Sequence, residues 1–213
     1  MDFEDFLQLI SKIKNIPLPA ESSHLKMVPP FRRELMKFQE ESIKNAKKAG
    51  VLALFYPNTA NKTNFVLILR KTYKGVHSAQ IGFPGGKLEK QDKSLEGAAI
   101  RETFEEVGVP VSDISIVKEM TQVYIPPSNF YVHPFMGITK TKPVFKLQDD
   151  EVEALLEVDL QNFLEEGVIM SNRVTASYSV DVEVPTFRLN GYVVWGATAM
   201  MLSEIKDLLK QAM

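Results

Sequence analysis

The sequence predicts a mixed α/β (α+β) protein, a mixed β-sheet with helices packed against it behind an N-terminal helical extension. Three observations carry this expectation. Strand-like runs dominate the middle of the chain, helical periodicities sit at the ends and within, and the two do not alternate strictly. A chain of 213 residues fits one domain with additions and can bury a real core. We divide it into an extension over 1–50 and a main domain over 51–213.

The elements follow in order. Phe3, Phe6, Leu7, Ile10 and Ile13 repeat at helical spacing, so 2–15 reads as an amphipathic helix. That helix can pack on its own domain or on a partner, which leaves a homodimer open. A Pro-containing connector from Ile16 to Pro30 leads to a second expected helix over 32–49, ended by Gly50. Between Lys26 and Lys48 this segment carries a basic run, read as a solvated face rather than a nucleic-acid patch. Val51–Tyr56 and Phe65–Arg70 read as strands, and Gln80–Phe83 as a short one. Residues 114–125 and 130–139 look extended around a turn at Pro126–Asn129. Glu151–Val158 is another strand, Asp159 caps a short helix through Phe163, and Val168–Leu189 is mostly strand. Asn190-Gly191 is a hairpin signal. A helix from about Gly196 to Met213 turns Leu202, Ile205, Leu208 and Leu209 inward.

Composition narrows the function. Hydrophobic residues make up 45% and charged residues 24%, ordinary for a globular chain, and the net charge of −2 does not suggest a nucleic-acid or membrane partner. With no cysteine, disulfides, thiolate catalysis and Cys-containing zinc sites are excluded. No run approaches the roughly 18 apolar residues of a membrane span, and Met1-Asp2-Phe3-Glu4 does not begin like a signal peptide. A cytoplasmic protein is expected.

Chemistry concentrates in Gly85-Gly86 through Gly108, where a glycine pair and a polar turn lead into a helix capped by Ser94. On a helical wheel with Glu102 at zero, Glu105 falls near −60° and Glu106 near +40°, so three carboxylates share an arc of roughly 100°. Ile100, Phe104 and Val107 fall opposite and are expected to face the core. Gly108 is the expected C-terminal cap, so Glu105 and Glu106 lie in the last turn, where anions oppose the helix dipole. Glu102 and Glu106 are also a like-charge i,i+4 pair, and Arg101 offers the only local relief. A cation held off the helix resolves the conflict, and oxygen ligands without His or Cys point to Mg²⁺ or Mn²⁺.

The stretch resembles the Nudix box, G-x5-E-x7-R-E-U-x-E-E-x-G-U. Arg101-Glu102, Glu105-Glu106 and Gly108-Val109 match in register, with Thr103 at the first U. The resemblance covers roughly residues 50–212 and implies a Nudix-type α/β/α sandwich. It also implies a hydrolase that attacks a phosphorus of a nucleoside diphosphate linked to another group. By the same analogy Glu102, Glu105 and Glu106 would be metal ligands, joined by the Gly86 carbonyl, and Arg101 would be structural, pairing with an acid of the preceding loop.

That loop departs from the general pattern. Lys93 stands where the first box Glu belongs, and one extra residue separates Gly86 from Arg101. Asp92 restores the match if that residue is an insertion, with Glu89 as the competing acid. The stretch Phe83-Pro84-Gly85-Gly86-Lys87, followed by Glu89 and Asp92, resembles the coenzyme A pyrophosphatase branch. The upstream motif of that branch matches in part: Leu67, Arg70 and Phe83 are kept, while Gly75 replaces an Arg. Arg70, Phe83, Lys87 and His77 are therefore candidate substrate contacts, with Lys71 or Lys74 as further point charges. Glu151 and Glu153 are candidates for a catalytic base from a later loop.

The expected function is a divalent-metal-dependent pyrophosphohydrolase acting on a small nucleotide, with coenzyme A as substrate and 3′,5′-ADP and 4′-phosphopantetheine as products. The alternatives are ADP-ribose, NADH or diadenosine polyphosphates as substrate, or a non-catalytic nucleotide sensor. Sensors of this fold typically lose box acids, and here all three are present. An isopentenyl diphosphate isomerase would need the cysteine this chain lacks.

Overall fold

The structure is a computed structural model and describes residues 1–29, 40–71, 80–176 and 179–213. Six helices are described: α1 (Phe3–Ile13), α2 (Glu21–His24), α3 (Glu40–Lys44), α4 (Leu95–Val107), α5 (Leu160–Leu164) and α6 (Gly196–Ala212). The strands are β1 (Lys47–Pro57), β2 (Thr63–Arg70), β3 (Ile81–Gly82), β4 (Gly85–Lys87), β5 (Ser115–Glu119), β6 (Val123–Ile125), β7 (Phe130–Ile138), β8 (Val152–Asp159), β9 (Ile169–Ala176), β10 (Ser179–Leu189) and β11 (Tyr192–Val194). An eight-stranded sheet runs β3-β2-β1-β7-β5, with β4 on β1, β6 on β7 and β8 on β2. It is mixed, because β1 and β7 are parallel while β1 pairs antiparallel with β2 and β4. A three-stranded sheet, β11-β10-β9, completes the described strands.

The alternation of β1 sorts the core into two layers. Leu52, Leu54 and Tyr56 meet Ala99 and Val107 of α4, while Ala53 and Phe55 meet α1 and α6 on the other face. Helices thus cover both faces of the sheet. Leu202, Ile205, Leu208 and Leu209 of α6 are all buried as expected, and each contributes roughly 1.5–3 kcal/mol by leaving water.

The apolar stripe of α1 is covered by the chain itself. Phe3, Phe6, Leu9, Ile10 and Ile13 are buried, and Phe6 stacks 5.0 Å from Phe55. Lys118 Nζ donates to the carbonyls of Ile13, Lys14 and Ile16 at 3.1–3.2 Å, satisfying the orphan acceptors at the end of α1. Further along, the buried Glu204 of α6 accepts from the backbone amides of Ala20 and Thr121. One carboxylate therefore ties the N-terminal segment to the β5–β6 connection.

Two expectations need correction. The helix over 32–49 is described only from residue 40, and its end is not helical: β1 begins at Lys47, inside it. Pairing with β7 along Lys47–Gly50, and with β4 at Ala49 and Gly50, overrides the helix-like pattern of Lys47-Lys48-Ala49-Gly50. The run 114–125 is broken at Met120–Gln122 into β5 and β6. Asp159 does cap α5, accepting from the Asn162 amide at 2.9 Å, and the Asn190-Gly191 turn has φ of 50° and 85°, as a two-residue hairpin requires.

Candidate active site

α4 is held at both ends by its own sequence. Ser94 Oγ accepts the Gly97 amide at 3.0 Å, and Gly108 closes the helix in the left-handed region at φ 76°. The loop before β8 is stitched to the same end, since the Lys146 and Gln148 amides donate to the Val107 and Glu106 carbonyls at 2.9 and 3.0 Å. Sequence reasoning gave no sign of this clamp. It brings Glu151 towards the helix.

The face that α4 buries is the expected one only in part: Val107 is buried and Ile100 packs against the core, but Phe104 does not. Ala98, Ala99, Thr103, Glu106 and Val107 are buried, whereas Phe104 is 50% exposed and Ile100 only half-buried. Small side chains let the helix sit close to β1: a Cβ on Gly50 would fall 2.1 Å from the Leu95 carbonyl oxygen. The rotation carries Glu106, only 1% exposed, inward with the core residues.

Glu106 meets partners from β2 and β4. Its Oε2 accepts the Gly85 amide at 2.8 Å, and Arg70 Nη2 donates to the Gly85 carbonyl at 2.7 Å. Arg70 Nη2 also stands 3.0 Å from Glu106 Oε1 as an ion pair. The pair is out of line for a hydrogen bond, so Oε1 is a buried carboxylate oxygen without a hydrogen-bond donor. Burial pushes the Glu106 carboxyl up to about 7, with Arg70 and the Gly85 amide pulling down and Glu102 and Glu151 pushing up. Burial likewise raises Glu102, partly offset by Arg101.

Arg101 gathers the rest. Its guanidinium forks onto Asp92, and its Nη1 donates to Glu102 Oε1 at 3.0 Å and Glu105 Oε2 at 2.8 Å. Asp92, not Glu89, supplies the loop acid; Glu89 takes part through its backbone amide, which donates to Asp92 Oδ2. Gly86 lies directly against Glu102, where an added Cβ would come within 2.3 Å of Oε1. Glycine is therefore the residue that leaves room for that carboxylate.

The remaining candidates separate. Glu151 faces Glu102 and Glu106 closely enough to raise both, while Glu153 lies exposed beyond the buried Val152. Lys87 is exposed at the end of β4. Phe83 requires correction as a substrate contact: it is 2% exposed and belongs to the core beneath α1 and α6, so its ring offers no surface to a ligand. His77, with Lys74, lies outside the described residues.

Among the described residues no three acids or histidines are gathered at coordinating distance; Arg101 Nη1 bonds both Glu102 and Glu105, and Arg70 pairs with Glu106. The residues nonetheless fit a hard divalent cation. Glu106 Oε1 is buried without a hydrogen-bond donor, Glu102 rests in the Gly86 cradle, and the carboxylates and the Gly86 carbonyl offer oxygen.

Comparison with known proteins places the chain. A sequence model described as the NUDIX domain matches residues 46–175. The chain belongs to the Nudix family. It is 30% identical over 155 residues to the peroxisomal coenzyme A diphosphatase ndx-8 of Caenorhabditis elegans, an alignment covering 72% of this chain and 64% of that one. It is 28% identical over 165 residues to the Nudix hydrolase NudL of Pectobacterium atrosepticum, covering 72% and 79%. A MutT/nudix family protein from Enterococcus faecalis shares the fold at TM-score 0.50 and 15% identity, over 92% of this chain and 76% of that one. The chain is thus a Nudix hydrolase, a pyrophosphohydrolase of nucleoside diphosphate derivatives, in a family that generally uses divalent metals. No helix among the described residues is long and apolar enough to cross a membrane.

Proposed function

We propose that this Nudix hydrolase cleaves the pyrophosphate of coenzyme A or its derivatives, releasing 3′,5′-ADP and 4′-phosphopantetheine. One geometric observation carries the reaction: the Glu102 carboxylate seated against Gly86, one helical turn from the buried Glu106. Support for the substrate comes from the relative named as a coenzyme A diphosphatase and from the Phe83–Lys87 loop with its acid at Asp92.

In this reading Glu102, Glu105, Glu106 and the Gly86 carbonyl would hold Mg²⁺ or Mn²⁺. When bound, the cation neutralises the two phosphates and lowers the pKa of the attacking water. The protein does the rest. Arg101 and Asp92 fix the loop that carries Gly86 relative to α4. Arg70 holds Gly85 and Glu106 in one arrangement, so that both sides of the cradle keep their spacing. Glu151, exposed and close enough to raise Glu102 and Glu106, would accept the proton of the attacking water, a role for which Glu153 shows no such proximity. Lys87, next to Gly86, is a point charge for a phosphate.

The test assays coenzyme A, ADP-ribose, NADH and diadenosine tetraphosphate side by side with Mg²⁺ and with Mn²⁺. Coenzyme A should give the highest kcat/KM, and a clear preference for ADP-ribose would overturn the substrate while sparing the reaction. Glu105→Gln and Glu106→Gln should each remove most turnover in a folded protein. Near-parental activity in either would overturn the assigned metal site.

A further inference from the structure

Lys47 and Lys48 end the basic run of the N-terminal region, and the fold places them where that run meets the active site. β1 and β4 pair with Ala49 opposite Lys87 and Gly50 opposite Gly86. The three lysines, with Ala46 and Leu88, line a cleft of about 400 Å³. It begins one residue beyond the Gly86 cradle.

The ammonium groups are gathered by the protein. Lys47 Nζ lies 6.0 Å and Lys87 Nζ 5.9 Å from the centre of the Phe130 ring, so one aromatic ring attracts both. Phe130 is partly buried against the core and stands opposite Lys47 in the β1–β7 register, which fixes the ring. Among the described residues, Lys47, Lys48 and Lys87 have no acidic partner, unlike Lys26, Lys62 and Lys210, each paired with a carboxylate. Glu89, a nearby acid on the same loop, is engaged with Gln91. Three like charges on one small cleft repel one another until an anion joins them. The cleft suits a single multiply charged group, and its position beside Gly86 ties that group to a molecule already in the active site.

We propose that Lys47, Lys48 and Lys87 form a subsite for a phosphomonoester that the nucleotide substrate carries outside its scissile pyrophosphate, such as a phosphate on the ribose. The proposal rests on the nucleotide pyrophosphohydrolase reading and sharpens it: the subsite rewards substrates with this extra phosphate.

Calorimetric binding of adenosine 3′,5′-bisphosphate and of AMP tests it without depending on which substrate is cleaved. The parent protein should bind the bisphosphate about tenfold or more tighter than AMP. The Lys47→Ala/Lys48→Ala variant should bind the two alike, and Lys47→Arg/Lys48→Arg should keep most of the preference. Removing the same charge elsewhere, as Lys14→Ala/Lys140→Ala, should leave the preference intact. The subsite is overturned if the parent does not discriminate, if the double alanine variant still does, or if the remote pair erases discrimination equally. Turnover of coenzyme A against dephospho-coenzyme A is a separate arm. If neither is cleaved while the binding preference depends on Lys47 and Lys48, the coenzyme A reading fails and the subsite stands.

Discussion

The Arg101 guanidinium grips Asp92 through two parallel hydrogen bonds, Nε to Oδ1 at 2.9 Å and Nη2 to Oδ2 at 2.9 Å. This fork joins α4 to the loop that follows Gly86, and it settles which loop acid serves the helix. The Asp92 side chain is only 5% exposed.

Asp92→Ala should therefore cost about 1–2 kcal/mol, read as a lower urea midpoint, because a charge-assisted fork is lost while Arg101 keeps Glu102 and Glu105. Glu89→Ala should stay within about 0.5 kcal/mol of the parent. The Arg101 hydrogen bonds hold the Asp92 carboxyl below its ordinary range. A depressed carboxylate stabilises above its unfolded pKa and ceases to do so as pH falls through the folded one. The gap between parent and Asp92→Ala should accordingly close in acid. If Glu89→Ala proved the more damaging change, the anchor would belong to Glu89.

Gly86→Ala tests the cradle itself. The new methyl would fall 2.3 Å from Glu102 Oε1 and drive the carboxylate away. A displacement of about 1 Å is enough to lower kcat about a hundredfold. Glu102 is part-exposed and can swing outwards at the cost of one hydrogen bond from Arg101, so the melting temperature should move by only a few degrees. An unchanged kcat with both Mg²⁺ and Mn²⁺ would show that Glu102 takes no part in turnover.

The site was legible in outline, and its weakest point was the orientation of α4. Three carboxylates at box spacing, Ser94 and Gly108 are local signals, and each is where the sequence put it. Periodicity, however, weighs apolarity, so it assigned Phe104 to the core and Glu106 to the edge. Two non-local facts reversed that. Gly50 and the small Ala98 and Ala99 allow close packing on β1, and Arg70 of β2 supplies a cation for an acid that would otherwise not be buried. The parts played by Gly50 and Arg70 leave no trace within the helix. Lys47 and Lys48 were obscured similarly, since only β-pairing turns a helix-like run into the start of β1. The rotated face predicts that Phe104→Ala changes stability by less than about 0.5 kcal/mol, whereas Val107→Ala costs about 1–3 kcal/mol. A cost for Phe104→Ala as large as that for Val107→Ala in urea unfolding would restore Phe104 to the core face that periodicity assigned it.

Lys206 on α6 gives the fold a pH dependence remote from the active site. It is 4% exposed, donates to the Phe163 and Glu165 carbonyls, and lies 5.7 and 6.0 Å from the Phe163 and Phe187 rings. Burial, reinforced by Lys210, pushes its ammonium down to about 8, against the opposing pull of Glu166, Asp207 and Glu165. An unfolded lysine titrates near 10.4. Between about pH 8 and 10 the unfolded chain therefore holds a proton that the folded chain has released. Stability rises with pH wherever the unfolded state binds more protons, so this group should make the protein more stable across that window. Above it the effect saturates, and Tyr56, raised by burial and by Glu157, acts in the opposite sense. Lys206→Met removes the titration, and the parent should gain about 1–3 kcal/mol over the variant between pH 7.5 and 9.5. Parallel urea curves for the two proteins across this range would mean that the carbonyls and rings keep the buried ammonium charged.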